Sequence, residues 1–131
     1  MSHYNANLRD IEFCLFDLFG TEKVLGTSIF SELDRETAMG MLEEMKRLTE
    51  NDLAESFVEG DRVGAILNKA TGDVTLPESF KKSYKAYIDG EWWRLDAPVD
   101  LGGTKVPAAV RWAIAEMVLG SNPAIHIYAS G

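Results

Sequence analysis

The chain has 131 residues, 46% of them hydrophobic and 26% charged, and its 21 acidic and 13 basic residues give a formal net charge of −8. This size and composition are typical of one globular domain with its own core. The acidic balance speaks against sequence-independent nucleic-acid binding, which needs clustered positive charge. No apolar run approaches the roughly 18 residues that a membrane-spanning helix requires.

The first residues, MSHYNANLRD, are polar and lack the basic start and apolar stretch of a signal peptide. With one cysteine, Cys14, the chain can form no internal disulfide, as is usual in a reducing compartment. These features predict a cytoplasmic protein. Cys14 lies in an apolar segment, which favours an inert buried thiol over a nucleophile.

The segment LRDIEFCLFDLF, residues 8 to 19, predicts the first helix, with Gly20 as its C-terminal cap. Apolar residues occupy both sides of this helix, so we expect it to be sandwiched between other elements. One stripe contains Leu8, Ile11, Leu15, Leu18 and Phe19, and the other side contains Phe13 and Phe16.

The second helix is predicted over residues 35 to 58. Asp34 is a candidate N-cap, because its carboxylate can accept from the free N–H groups near Thr37. The polar group TEND at 49–52 indicates a bend or a break, and Gly60 with Asp61-Arg62 is predicted to end the helix.

Residues 63 to 76 predict a small hairpin or an irregular loop, because two short apolar pieces flank the turn-rich NKATGD. Pro77 and Glu78 then open a third helix that runs to Gly90, and Phe80, Tyr84 and either Tyr87 or Ile88 are predicted to point inward. The segment EWWRLDAPVDLGGT is predicted to be extended. Its two tryptophans, Trp92 and Trp93, are interpreted as core residues, although such a pair can also border a ligand groove.

The fourth helix is predicted over 107 to 119 as a central, buried helix ended by Gly120. Its stripe contains Val110, Ile114, Met117 and Val118, and Trp112 and Leu119 extend the apolar surface around it. The fold class is therefore all-α and helical bundle-like, with a minor extended element near 63–76.

Asn122 and Pro123 repeat the helix-start pattern and predict a short last helix. Helical spacing puts Ile125 and Ala129 on one face with His126 beside them, so Ile127 is expected to face the core. His126 lies in an apolar stretch, where a hydrogen-bonded core histidine and a pocket-lining histidine are both open.

Recognisable catalytic constellations are missing from the sequence. His3, His126 and Cys14 are too far apart along the chain for a metal-ligand cluster, and no metal site is predicted. No GxSxG, Walker or GxGxxG motif occurs. The sequence therefore predicts that the chain by itself lacks a complete catalytic site.

The ordered segments resemble the N-terminal α-helical domain of acyl-CoA dehydrogenases. The motifs are LAESFVEGDR, then LPESFKKSYKAYIDGEWWRLDAPVDLGGT, then VRWAIAEMVLGSNPAIHIYASG. The start, MSHYNANLRDIEFCLFDLFG, resembles an N-terminal extension of a larger bacterial branch, which acts on long-chain or sulfur-containing propionyl thioesters. The resemblance implies an extension over 1–33 with one helix, and an incomplete helical domain over 34–131.

What the resemblance implies about function concerns a longer parent protein. The parent would be an FAD-dependent oxidoreductase of fatty acid beta-oxidation that converts acyl-CoA to trans-2-enoyl-CoA, with a glutamate from a missing C-terminal domain as base. It would use an electron-transfer partner and form a homo-oligomer. Ile125, His126 and Ala129 would line one wall of the acyl pocket, whereas Glu116 matches a structural position. The fragment alone would hold no FAD and be inactive.

A competing interpretation is a self-contained helical binding or adaptor module. The gene distinguishes the two, because read-through past Gly131 into a flavin domain supports a dehydrogenase and a stop codon supports the module.

Overall fold

The computed structural model describes residues 2–130, without the side chain of Ser130, so Met1 and Gly131 lie outside the described residues. The predicted all-α class is confirmed. The α-helices are α1 (Leu8–Glu12), α2 (Arg35–Leu48), α3 (Phe57–Val63), α4 (Glu78–Asp89), α5 (Ala108–Ser121) and α6 (Pro123–Ser130), and the strands are β1 (Ile66–Leu67) and β2 (Val74–Thr75). Two π-helical segments, Phe13–Leu18 and Thr49–Leu53, are called the first and second π-helix below.

The first helix follows the prediction only in part. After α1 the backbone widens into the first π-helix, whose i→i+5 hydrogen bonds shift the apolar stripe relative to an α-helix. Leu15 and Phe16 are buried, whereas Leu18 and Phe19 are 62% and 69% exposed. The prediction of a sandwiched helix with Leu18 and Phe19 inward is therefore wrong. Gly20 adopts φ 61°, as its predicted capping role requires.

The second predicted helix starts where expected. The Thr37 N–H donates to Asp34 Oδ1 at 2.7 Å, which confirms the N-cap. The break predicted at TEND is confirmed by the second π-helix and a 3-10 turn, Ala54–Ser56. The predicted end at Gly60 is wrong, because α3 continues to Val63 and ends at Gly64, which has φ 65°.

The hairpin predicted over 63–76 is confirmed. Ile66 pairs with Thr75 and Leu67 with Val74 in an antiparallel arrangement, and all four residues are exposed. The segment after α4 is not extended as predicted. It folds into 3-10 turns over Trp92–Leu95 and Val99–Leu101, and Trp92 is buried.

The centre of the core is α5, which contacts α2 and α6. The four residues of its predicted stripe are almost fully buried, namely Val110, Ile114, Met117 and Val118. Trp112 and Leu119, however, are 58% and 39% exposed, so α5 is buried on one face and not all round. Gly120 does not end the helix as predicted. A Cβ there would lie 2.5 Å from Cε2 of Tyr4, so the glycine lets the N-terminal segment approach α5.

The N-terminal residues share this core. Ile11, Leu15, Phe16, Leu25 and Leu33 belong to the same buried cluster as the side chains of α2 and α5. The boundary expected between residues 33 and 34 thus coincides with no gap in the core, and it stays a prediction about domain organisation.

Candidate functional site

The junction between α5 and α6 is tied to the second π-helix by buried side-chain hydrogen bonds. The Ser121 hydroxyl donates to the Thr49 carbonyl at 2.6 Å. The Asn122 side-chain amide donates to the Leu53 carbonyl at 3.1 Å and to Ser56 Oγ at 3.0 Å. An irregular helix leaves carbonyls without regular partners, and these side chains supply them. The direction in which α6 leaves α5 is set by these bonds.

Helix α6 carries the three residues that the resemblance assigned to an acyl pocket. Ile125 is fully buried in the core, whereas His126 and Ala129 are half-buried. Ile127 is 68% exposed, so the expectation that it faces the core is wrong. The reason is that α6 packs against both α4 and α5 through the face of Ile125, which leaves Ile127 on the opposite face.

A cavity of about 190 Å³, named here the Tyr87 cavity, lies beside α6. Side chains from α4, from the 3-10 turn after it, from α5 and from α6 surround it. They are Tyr87, Leu95, Asp96, Arg111, Trp112, Ile114, Ala115 and His126. His126 is among the residues that line this cavity.

The polar groups of the Tyr87 cavity form an ion pair beside a phenol. Arg111 Nε donates to Asp96 Oδ1 at 2.5 Å. Burial, and then the negative charge of Asp96, raise the pKa of Tyr87 to about 12, while Arg111 lowers it. The Tyr87 hydroxyl is therefore protonated at neutral pH, where it can donate or accept a hydrogen bond. This arrangement offers hydrogen-bonding and charged side chains to a ligand.

A second concave surface, of about 400 Å³, lies between the N-terminal segment and α5. Tyr4, Cys14, Phe19, Trp112 and Glu116 are among its lining residues. Burial and the nearby Glu116 carboxylate raise the pKa of Tyr4. Cys14 is only half-buried here, so the expectation of a fully buried thiol is corrected.

Residues 2–130 contain no group of three or more His, Cys, Asp or Glu side chains able to hold a metal ion. None of the helices in this range has the length and apolar character needed to cross a bilayer.

The relatives of the chain identify the protein family to which it belongs. No family model matches the chain. The chain is 48% identical over all 131 residues to the "Broad-specificity linear acyl-CoA dehydrogenase FadE5" of Mycobacterium tuberculosis. It is 34% identical over 115 residues, 88% of its length, to the "3-methylmercaptopropionyl-CoA dehydrogenase" of Ruegeria pomeroyi. Its homologues are acyl-CoA dehydrogenases.

These two matches confirm the resemblance to acyl-CoA dehydrogenases that the sequence motifs predicted. The chain spans about a fifth of the length of these dehydrogenases, 21% of the first and 19% of the second. Most of each relative thus has no counterpart in the 131 residues.

The paired glycines before α5, Gly102 and Gly103, serve backbone packing and a turn. A paired glycine before a helix is more often a turn than a phosphate-binding loop. A Cβ at Gly103 would overlap the Ala97 carbonyl oxygen, so this glycine serves a close approach of backbone to backbone. Gly102 has φ 88° and ends a short 3-10 turn. Neither glycine cradles an anion at the start of a helix.

Three polar residues that line the Tyr87 cavity were not predicted from the sequence as site residues, namely Tyr87, Asp96 and Arg111. Tyr87 was predicted only as an alternative inward residue of α4, and Asp96 and Arg111 carried no signal. Arg111 and Asp96 are 15 positions apart, and their meeting depends on how the 3-10 turn packs on α5. No local pattern encodes that contact.

Proposed function

We propose that the chain is the N-terminal helical part of an FAD-dependent acyl-CoA dehydrogenase that oxidises acyl-CoA thioesters to trans-2-enoyl-CoA. One observation carries the proposal: the match to a dehydrogenase along all 131 residues at 48% identity. The confirmed helical fold and the order of its motifs agree with that assignment.

In this proposal the chain contributes one wall of the acyl pocket. The wall consists of the α6 residues predicted from the resemblance, Ile125, His126 and Ala129. His126 supports the role because it borders the Tyr87 cavity. Ile125, whose side chain is fully buried, contributes from beneath by holding α6 on the core.

The chemistry in this proposal comes from the rest of the parent protein. The flavin, which accepts the hydride when it is bound, and the glutamate base are assigned to segments outside these 131 residues. Glu116 is exposed beside Tyr4 and is given no catalytic role. An electron-transfer partner and a homo-oligomeric state belong to the same proposal.

The test is to express the complete reading frame that contains residues 1–131 and to assay it with straight-chain acyl-CoA thioesters and an artificial electron acceptor. We expect a flavin absorbance band that survives gel filtration and formation of enoyl-CoA. A matched sample of residues 1–131 alone should retain no flavin. A reading frame without a flavin domain, or a flavoprotein that oxidises no acyl-CoA, would contradict the proposal and favour the self-contained binding module.

A further inference from the structure

The polar side chains that line the Tyr87 cavity suggest a limit on the length of the ligand. We propose that the Tyr87 hydroxyl, together with the Asp96–Arg111 pair, restricts the length of the hydrocarbon chain that the acyl pocket accepts. This inference rests on the proposed function, because it takes the ligand to be the acyl group of an acyl-CoA.

The geometry puts an unpartnered polar group at the cavity. Tyr87 is 4% exposed and lines the cavity. None of the hydrogen bonds within residues 2–130 involves its hydroxyl, and the hydroxyl oxygen is not among the fully enclosed polar atoms without a partner. Asp96 and Arg111 line the same cavity, and their charges act on this hydroxyl. The remaining lining includes the apolar Leu95, Ile114 and Ala115.

The lining therefore has an apolar part that suits methylene groups and a polar part that does not. Each buried methylene strengthens binding about fourfold. Covering a hydroxyl without giving it a partner weakens binding by roughly 5- to 150-fold. The penalty at Tyr87 thus cancels the gain from about one to three methylenes. A hydrocarbon chain that ends just short of Tyr87 binds best, and further extension gains nothing.

The same geometry distinguishes two kinds of chain end. A terminal methyl group that covers the Tyr87 hydroxyl excludes water from it and offers no hydrogen bond, whereas a terminal hydroxyl can accept its hydrogen bond. The Asp96–Arg111 pair is neutral in sum, so this pair gives no charge-based preference for an anionic end. The ligand class is thus a neutral acyl chain, with its length limit relaxed when the end is polar.

The experiment uses the complete enzyme and the variant Tyr87→Phe, which removes one oxygen atom and keeps the ring. Tyr84→Phe is the matched control, since Tyr84 lies on the same helix, packs against the core and is not part of the cavity lining. We expect Tyr87→Phe to raise kcat/KM at least about fivefold for straight-chain thioesters longer than the wild-type optimum, through a lower KM. The gain should be confined to the long thioesters, and the Tyr84→Phe profile should stay as in wild type.

A second measurement compares thioesters of equal length that end in a methyl group or in a hydroxyl group. Wild type should bind the hydroxyl-ended thioester more tightly at the long end of the series, and Tyr87→Phe should lose that preference. Suppose that the wild type is active, and that Tyr87→Phe has the same length profile and the same end-group preference as the wild type. That result would overturn this inference and leave the proposed function standing. A wild-type enzyme that does not oxidise acyl-CoA would contradict both this inference and the proposed function.

Discussion

At the scale of single residues, Asp34 shows how one carboxylate starts a helix. Its Oδ1 accepts from the Thr37 N–H, and that hydrogen bond lowers the pKa of the Asp34 carboxyl. The lowered pKa means that the carboxylate stabilises the fold above the pKa of the unfolded chain. The contribution is lost as the pH falls through the lower, folded pKa.

We therefore expect Asp34→Ala to lower the urea midpoint at neutral pH, because the N-cap acceptor is removed. Asp34→Asn should stay close to wild type at neutral pH, since asparagine caps helices about as well as aspartate. The difference between wild type and Asp34→Ala should shrink as the solution is acidified. Equal urea midpoints for wild type and Asp34→Ala at neutral pH would contradict this view of the cap.

At the scale of elements, α6 has one buried face and one exposed face. Ile125 is 0% exposed and Ile127 is 68% exposed. Ile125→Ala should lower the free energy of unfolding by about 2–5 kcal/mol, because it leaves a cavity in the core. Ile127→Ala, the same chemical change two residues away, should alter it by less than about 0.5 kcal/mol. Urea unfolding of both variants checks this, and equal losses would show that α6 is rotated.

The second π-helix is held by two serines from different elements. Ser121 Oγ donates to the Thr49 carbonyl and Ser83 Oγ donates to the Asp52 carbonyl, each at 2.6 Å. Both serines are buried, at 0% and 2% exposed. Replacing either one by alanine leaves a carbonyl without its side-chain partner, which should cost about 1–3 kcal/mol.

The matched control for these two variants is Ser31→Ala, which changes an exposed serine and should have little effect. Thermal or urea unfolding of the three variants measures the difference. If the Ser121 and Ser83 variants were as stable as the Ser31 variant, the π-helix would not depend on these bonds.

At the scale of the whole molecule, α5 and α6 present apolar side chains to solvent. Trp112 is 58% exposed, Leu119 39%, Ile127 68% and Tyr128 51%. Extended apolar surface usually becomes a contact with another molecule or domain. Residues 1–131 alone should therefore self-associate and bind a hydrophobic dye. The net charge of −8 opposes association, so added salt should promote it.

Light scattering and dye fluorescence check this expectation. The pair Trp112→Gln with Ile127→Gln should reduce both signals. Leu101→Gln is a matched control on the 3-10 turn before α5, where Leu101 is 69% exposed, and it should change little. A monodisperse monomer that binds no dye, at low and at high salt, would refute the prediction.

Local signals in the sequence determined a large part of this fold. Asp34, the turn-rich NKATGD and the Asn122-Pro123 pair each predicted the element that the structure contains. These signals work because capping and turn formation involve residues within about four positions of one another. The order of the motifs by itself likewise indicated the acyl-CoA dehydrogenase family.

Tertiary structure alone decided the π-helices, the facing of α6 and the Tyr87 cavity. Apolar spacing cannot distinguish i→i+4 from i→i+5 hydrogen bonding, so the burial of Phe16 and the exposure of Leu18 were not predictable. Ile125 and Ile127 are chemically identical, and only the packing of α6 on α4 and α5 selects which one is buried. Tyr87, Asp96 and Arg111 meet because three elements pack together, and no interaction between sequence neighbours brings such side chains into contact.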